Sequence, residues 1–193
     1  MTEVSPRKIG VVGCGALGSY YGAKLWRAGH RVHFLLRSDY EQVKAHGVRI
    51  ESVDGDFLAT PVCAKTPEEI GACDVVLIGL KTTANSALSR LLPPLIGPGT
   101  AIVSLQNGLG NEDALAALFG PENILHGLCF LCSNRIAPGH IRHSAFGRIV
   151  LGEYGRSRSA RTEGLAEMIR AAGVPCEVTD DLERANWEKL LWN

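Results

Sequence analysis

Lys8-Ile9-Gly10-Val11-Val12-Gly13-Cys14-Gly15-Ala16-Leu17-Gly18 is the stretch from which the fold is read. A β-rich apolar run ends in Gly-x-Gly-x-x-Gly, and the segment Ala16 to Ala28 follows with helical apolar spacing, so the glycines fall where a strand turns into a helix. Gly13 permits the tight turn, Gly15 removes a Cβ that would block a pyrophosphate, and Gly18 lets the helix lie close on the strand. The free N–H groups and positive dipole end of that helix would meet the phosphates. Glycine-rich turns are common, and a bare motif is weak. Here it comes with its strand, its helix and a second strand at Arg31 to Leu36, which is the context of a dinucleotide site. Gly13, Cys14, Gly15, Ala16, Leu17 and Gly18 are therefore read as cofactor-binding.

Working outward, the end of the second strand is where nicotinamide-binding sheets read the adenosine ribose. An acid there accepts from a free 2′-hydroxyl, whereas a guanidinium forks onto a 2′-phosphate. This strand ends Phe34-Leu35-Leu36-Arg37-Ser38, so Arg37 favours NADP over NAD. The competing reading is a solvated loop arginine, and Asp39, two residues on, leaves the preference open. Asp39 to His46 reads as a short helix, and Val48 to Glu51 and Phe57 to Pro61 as two short strands about the turn Asp54-Gly55.

Val75 to Leu80 is a continuous apolar run, the mark of a strand buried on both faces of a parallel sheet, and Thr100 to Leu105 is another. The first leads into Lys81-Thr82 and the second into Gln106-Asn107-Gly108-Leu109-Gly110. Lys81 and Asn107 thus follow successive strands on the sheet edge where open α/β folds bind ligands. Either alone is ordinary loop chemistry, but at equivalent strand ends they point to the nicotinamide end of a cofactor. Asn85 to Leu92 and Asn111 to Phe119 are helical in spacing, Ile124 to Cys132 and Ile149 to Gly152 read as strands, and a helix is expected from about Ser159 to Ala172.

Other clusters carry less. His140 and His143 do not share a strand face and read as surface or satisfied polar groups. Cys129-x-x-Cys132 lacks a second ligand pair for zinc, so no metal site is assigned. Arg156, Arg158 and Arg161 read as solvated surface. The last segment is the exception. Asp180 and Glu183 can form a capping box, and the helix that follows places Lys189 on one face with Leu182, Ala185, Asn186 and Asn193. A lysine on an apolar and amide face needs a reason, because lysines normally take the wet side. Held beside a nicotinamide, it could protonate a carbonyl oxygen as hydride arrives at carbon; the alternative is pairing with a carboxylate across the interface.

The whole chain sets the limits on function. Its 193 residues, 46% hydrophobic and 21% charged, describe an ordinary soluble globular protein of one domain plus something extra. Lys+Arg and Asp+Glu balance at 20 each, so no general attraction to nucleic acid or to a membrane surface is expected. Six cysteines scattered through apolar segments fit free thiols in a reducing cytosol. No apolar run reaches the length of a membrane span, and a cytoplasmic location is expected.

Gly13-Cys14-Gly15-Ala16-Leu17-Gly18, Leu80-Lys81, Gln106-Asn107-Gly108 and Trp187-Glu188-Lys189-Leu190-Leu191-Trp192-Asn193 together resemble the ketopantoate reductase family (2-dehydropantoate 2-reductases), in order and spacing along the chain. The resemblance implies a Rossmann-type, doubly wound α/β domain with a mostly parallel sheet over residues 1–179. Residues 180–193 would begin the first helix of an all-helical substrate domain that is otherwise truncated. It implies NADPH-dependent reduction of 2-dehydropantoate to (R)-pantoate in pantothenate and coenzyme A synthesis. Lys189 then corresponds to the general acid, Asn193 and Asn107 to substrate-binding amides, and Lys81, Asn107, Asn134 and Arg37 to cofactor contacts. The partner is a small 2-oxo acid, with a homodimer left open. A reductase for another 2-oxo acid and a non-catalytic NADP-binding sensor are the alternatives, and the second gains weight because the truncated chain could bind NADPH without efficient turnover.

Overall fold

A computed structural model describes residues 5–192. Strand β1 (Lys8–Val12) runs into helix α1 (Ala16–Arg27) and strand β2 (Arg31–Leu35). Helix α2 (Tyr40–His46) and the antiparallel pair β3 (Val48–Ser52) and β4 (Phe57–Ala59) follow where expected. Next come β5 (Val62–Ala64) and α3 (Pro67–Ile70), too short to announce themselves, and β6 (Cys73–Ile78). A 3₁₀ segment, Thr82–Ala87, precedes α4 (Leu88–Leu91), β7 (Ile96–Ser104) and α5 (Asn111–Phe119). The long hairpin β8 (Ile124–Ala137) and β9 (His140–Glu153), α6 (Ala160–Ala171), β10 (Cys176–Val178) and α7 (Leu182–Trp192) complete the chain.

The strands form one sheet in the order β4-β3-β9-β8-β7-β6-β1-β2-β5, with β10 added beside β9. From β5 through β2, β1, β6 and β7 to β8 every pairing is parallel. Apart from β3 and β4, which lie at the far edge beside β9, the chain builds outward from β1 through β2 to β5, then crosses back to continue from β6 through β7 and β8 on the other side. That reversal opens a crevice at the carboxyl ends of β1 and β6, the ligand-binding position of doubly wound sheets.

Alternation along the buried strands explains why each apolar run is continuous. Val11, Leu77, Val103 and Leu125 enter a core shared with α1 and α6, while Val12, Ile78, Ile102 and Ile124 enter a second core under α4 and α5. Both faces are covered, so no position in these strands needs to be polar. Gly22 adds to the close docking of α1, since a Cβ there would lie 2.5 Å from a ring carbon of Phe34.

Three local expectations change. The helix expected over Asn85 to Leu92 is α-helical only at Leu88–Leu91, and its first three residues belong to the 3₁₀ segment. Its Thr82, Thr83, Asn85 and Ser86 compete with the backbone for hydrogen bonds, and Asn85 is committed to a side-chain network described below. Strands β8 and β9 run well past the apolar segments, through exposed polar residues, because their outer halves pair with each other and with β3. The cap of α7 is Asp181, whose carboxylate accepts from the Arg184 amide at 2.9 Å. Asp180 instead binds Arg158.

The basic run is also more than solvated surface. Arg156 and Arg161 converge on the buried Glu153, which also accepts from the Ser159 and Thr162 hydroxyls at 2.6 Å each. Burial alone would raise the Glu153 carboxyl, but the donors from Arg161, Ser159, Thr162 and Arg156 together outweigh it and hold it down to about 2, against an ordinary 4.5. A carboxyl lowered on folding contributes stability that is complete above pH 4.5 and is lost as pH falls toward 2. The contribution is on the order of 3 kcal/mol. Urea midpoints of the parent and of Glu153→Gln, measured between pH 3 and pH 6, are expected to show a steeper acid loss in the parent. Equal pH slopes in the two proteins would dismiss the clamp.

Among the described residues no helix is long and apolar enough to cross a membrane.

Candidate functional site

The glycine turn has the geometry its sequence requires. Gly13 sits at φ +100°, and a Cβ on it would lie 2.3 Å from the Leu80 nitrogen; one on Gly18 would lie 2.2 Å from the Gly13 carbonyl oxygen. A Cβ on Gly15 meets no heavy atom within 4 Å, so the space above the turn is open, and no side chain caps the N-terminus of α1. These observations fit a dinucleotide pyrophosphate: backbone N–H groups at a helix start facing a volume kept clear of side chains. Cys14 contributes backbone to the turn. Its thiol points inward, donating to the carbonyls of Val11 and Leu35, and burial pushes it well above the usual thiol range. Ala16, Leu17 and Gly18 form the first turn of α1.

Sequence reading passed over Gly79. It ends the β6 run, donates to the Val12 carbonyl at 2.8 Å, and a Cβ there would lie 2.7 Å from the Gly13 oxygen. The signal was a glycine inside an otherwise bulky strand, a mark of close backbone approach.

A cleft of about 590 Å³ runs from this turn along the carboxyl edge of the sheet. Gly13, Cys14, Gly15, Arg37 and Lys81 all line it. Arg37 and Lys81 are exposed, and Arg37 has no carboxylate within 4.0 Å among the described residues. Asn134 is exposed on β8 and does not line the cleft, whereas its neighbour Arg135 does.

Beside the cleft lies a smaller cavity of about 20 Å³, lined among others by Gln106, Asn107, His126, Asn186 and Lys189. Lys189 is only 9% exposed. Its Nζ donates to Asn107 Oδ1 at 2.8 Å and stands 5.4 Å from the Phe130 ring centre. No carboxylate lies within 4.0 Å of it among the described residues, so the pairing that would make it a plain structural lysine is not what holds it. Burial lowers its ammonium from the ordinary lysine range. Asn193 lies outside the described residues.

The two cavities are tied together by amides. Gln106 Nε2 donates to the Leu80 carbonyl at 2.9 Å and to Asn85 Oδ1 at 2.7 Å; Asn85 Nδ2 donates to Asn111 Oδ1 at 2.9 Å. Asn111 Nδ2 in turn donates to the carbonyls of Asn107 and Gly108. The loops after β6 and β7, which carry Lys81 and Asn107, are therefore hydrogen-bonded to each other. Below them, His126 Nδ1 and Glu112 Oε1, both buried, are 3.1 Å apart. Spacing along the chain could not reveal these partners, because they come from four separate segments.

Strand order and glycine turn together define a Rossmann-type α/β domain, with a buried amine in a small cavity separate from its cleft. A family model described as ketopantoate reductase PanE/ApbA matches residues 9–156. The chain belongs to that family. A 2-dehydropantoate 2-reductase from Nostoc sp. is 44% identical over 200 residues, covering 98% of this chain and 61% of that protein. The crystal structure of 2-dehydropantoate 2-reductase from Geobacter metallireducens GS-15 superposes with a TM-score of 0.94 at 56% identity, covering 96% of this chain and 62% of that one. The corresponding structure from Methylococcus capsulatus gives 0.89 at 39% identity, covering 96% and 61%. The chain thus spans about three-fifths of the length of these relatives.

Proposed function

We propose that this chain is the nucleotide-binding part of an NADPH-dependent reductase that converts the ketone of 2-dehydropantoate to the alcohol of (R)-pantoate, in pantothenate and coenzyme A synthesis. The observation that carries the reading is Lys189: a buried ammonium with an amide as its close polar partner, in the small cavity that it lines with the loop after β7. A lysine placed there without a carboxylate keeps its proton available for donation. The relatives carrying the name 2-dehydropantoate 2-reductase support the choice of substrate.

NADPH held in the cleft would supply hydride to the ketone carbon. As the C–H bond forms, the electron pair of the C=O bond moves to oxygen, and Lys189 gives that oxygen the proton, becoming a neutral amine. Asn107 holds the Lys189 Nζ in place and, with Asn193, supplies amides for the substrate. Lys81 and the Gly13–Gly18 turn hold the nucleotide, and Arg37 takes its 2′-phosphate. Residues 1–179 form the nucleotide domain, and residues 180–193 lead into a helical substrate domain. The exposed Trp187, Leu190 and Leu191 on the outward side of α7 give such a domain an apolar face to pack on. A cytoplasmic enzyme is the setting in which its unpaired thiols stay reduced.

NADPH oxidation by the full-length protein with a panel of 2-oxo acids tests this directly. Turnover is expected with 2-dehydropantoate in preference to unbranched 2-oxo acids. A higher kcat/KM with a different acid would reassign the substrate, and NADPH binding with no turnover on any acid would leave a sensor.

A further inference from the structure

Asp39 is misplaced by the usual logic of its position. It stands at the N-cap of α2, where an aspartate normally accepts from the first-turn amides, yet its side chain makes no capping bond. The carboxylate is instead buried, accepting from the Ser38 hydroxyl at 2.8 Å and from Arg135 Nη2 at 2.8 Å. Arg135 comes from the far end of β8, 96 residues along the chain, and its side chain stays 42% exposed. It lines the same cleft as Arg37, Ser38 and Asp39, at the β2 end where the adenosine ribose would sit.

A guanidinium has five N–H donors in a rigid fork, and one carboxylate oxygen uses only part of them. The other N–H groups of Arg135 have no hydrogen-bond partner among the described residues, and the side chain lines the cleft together with Arg37. Asp39 is also the acid that would otherwise serve a free ribose 2′-hydroxyl and repel a 2′-phosphate; its charge is taken up by Arg135. Resting on the nicotinamide-nucleotide reading above, we infer that Arg135 is a second, specificity-determining arginine of a 2′-phosphate subsite. Asp39 is the tether that fixes it there, and the pair converts an acid suited to NAD into part of an NADP pocket. The long hairpin of β8 and β9 thereby reaches over to complete a site that the β1–α1–β2 unit begins.

The test is calorimetric titration of the protein with NADPH, NADH, 2′,5′-ADP and 5′-AMP, for the parent and for Arg37→Ala, Arg135→Ala, Arg135→Lys, Asp39→Asn and the Arg135→Ala/Asp39→Asn pair. Arg135→Ala is expected to weaken NADPH and 2′,5′-ADP by about tenfold or more, the scale of one charge-assisted contact. NADH and 5′-AMP should be unchanged or tighter, because the freed Asp39 carboxylate can accept the 2′-hydroxyl. Asp39→Asn on the Arg135→Ala background should recover part of the NADPH affinity by removing the exposed negative charge, and Arg135→Lys should fall between parent and alanine. Equal losses for phosphorylated and unphosphorylated ligands would mean that Arg135 only supports the fold, and overturns the proposal. A preference abolished by Arg37→Ala but untouched by Arg135→Ala also overturns it while leaving the nucleotide site standing. Failure of the parent to bind any of the four ligands removes the nucleotide reading and this inference with it. Thermal midpoints of each variant identify any that misfold, and the ratio of affinities within a folded variant is independent of total active protein.

Discussion

Replacing Lys189 with alanine in the full-length enzyme is expected to lower kcat by roughly 10²- to 10⁴-fold, the range for losing a positioned general acid. NADPH affinity should hardly change. The two effects separate because Lys189 borders the small cavity with Asn107, His126 and Asn186, while the residues that line the nucleotide cleft are a different set. The pH profile adds a second readout. Donation requires the ammonium, so activity falls as pH rises through its pKa; burial lowers that pKa, and the alkaline limb should come earlier than for an ordinary lysine. Lys189→Arg keeps the charge but holds its proton too firmly to donate, so it should share the kcat loss without restoring the limb. Parent-like turnover in Lys189→Ala would take the residue out of the chemistry. Asn107→Ala is the companion variant: it removes the group 2.8 Å from Nζ and should cost less, since the ammonium stays but is no longer aimed.

What the sequence made legible divides along a physical line. The β1–α1–β2 unit, the buried strands β6 and β7 and the amphipathic logic of α7 were readable because their signals are local. A glycine triplet, an unbroken apolar run and a misplaced lysine each need only their neighbours in the chain. The face assignment for Lys189 agrees with its burial, as do those of Leu182, Ala185 and Asn186, none of which is exposed. Arg37 and Lys81, at the ends of β2 and β6, line the cleft, whereas Asn107, after β7, lines the small cavity with Lys189.

What stayed hidden depends on long-range partners. Arg156 and Arg161 look like solvated charges until Glu153 is seen buried at the end of β9, and Arg135 looks like hairpin surface until Asp39 is seen facing it. Asn85 belongs to a segment whose apolar spacing is helical, but its amide is held between Gln106 and Asn111, and the backbone settles into 3₁₀ turns around it. Asn134 illustrates the limit of position-matching: on a strand, a shift of one residue moves a side chain to the other face, and here Arg135 lines the cleft. Local pattern locates the backbone of the site, whereas its charge balance is a property of the folded chain.

The two central glycines of the turn do different jobs, and their substitutions should separate stability from binding. Gly13→Ala forces a side chain into φ +100° with its Cβ 2.3 Å from the Leu80 nitrogen and 2.5 Å from the Gly79 carbonyl carbon. Those are backbone atoms just past the end of β6, so no flexible side chain can give way. The expected cost is about 3 kcal/mol from strain and displacement, and a domain of this size should lose roughly 6–12 °C in Tm. Gly15→Ala meets no atom within 4 Å and has no positive φ to violate, so its Tm should stay within a degree or two of the parent. Its methyl group instead occupies the volume that a pyrophosphate needs, and the amides at the start of α1 can no longer approach the phosphates. NADPH binding by Gly15→Ala is expected to weaken at least tenfold, about 1.4 kcal/mol. Thermal melts and NADPH titrations on the two variants decide it. A Gly15→Ala protein that binds NADPH like the parent would show that the phosphates do not lie over this turn, and the cleft would have to be read for a different ligand.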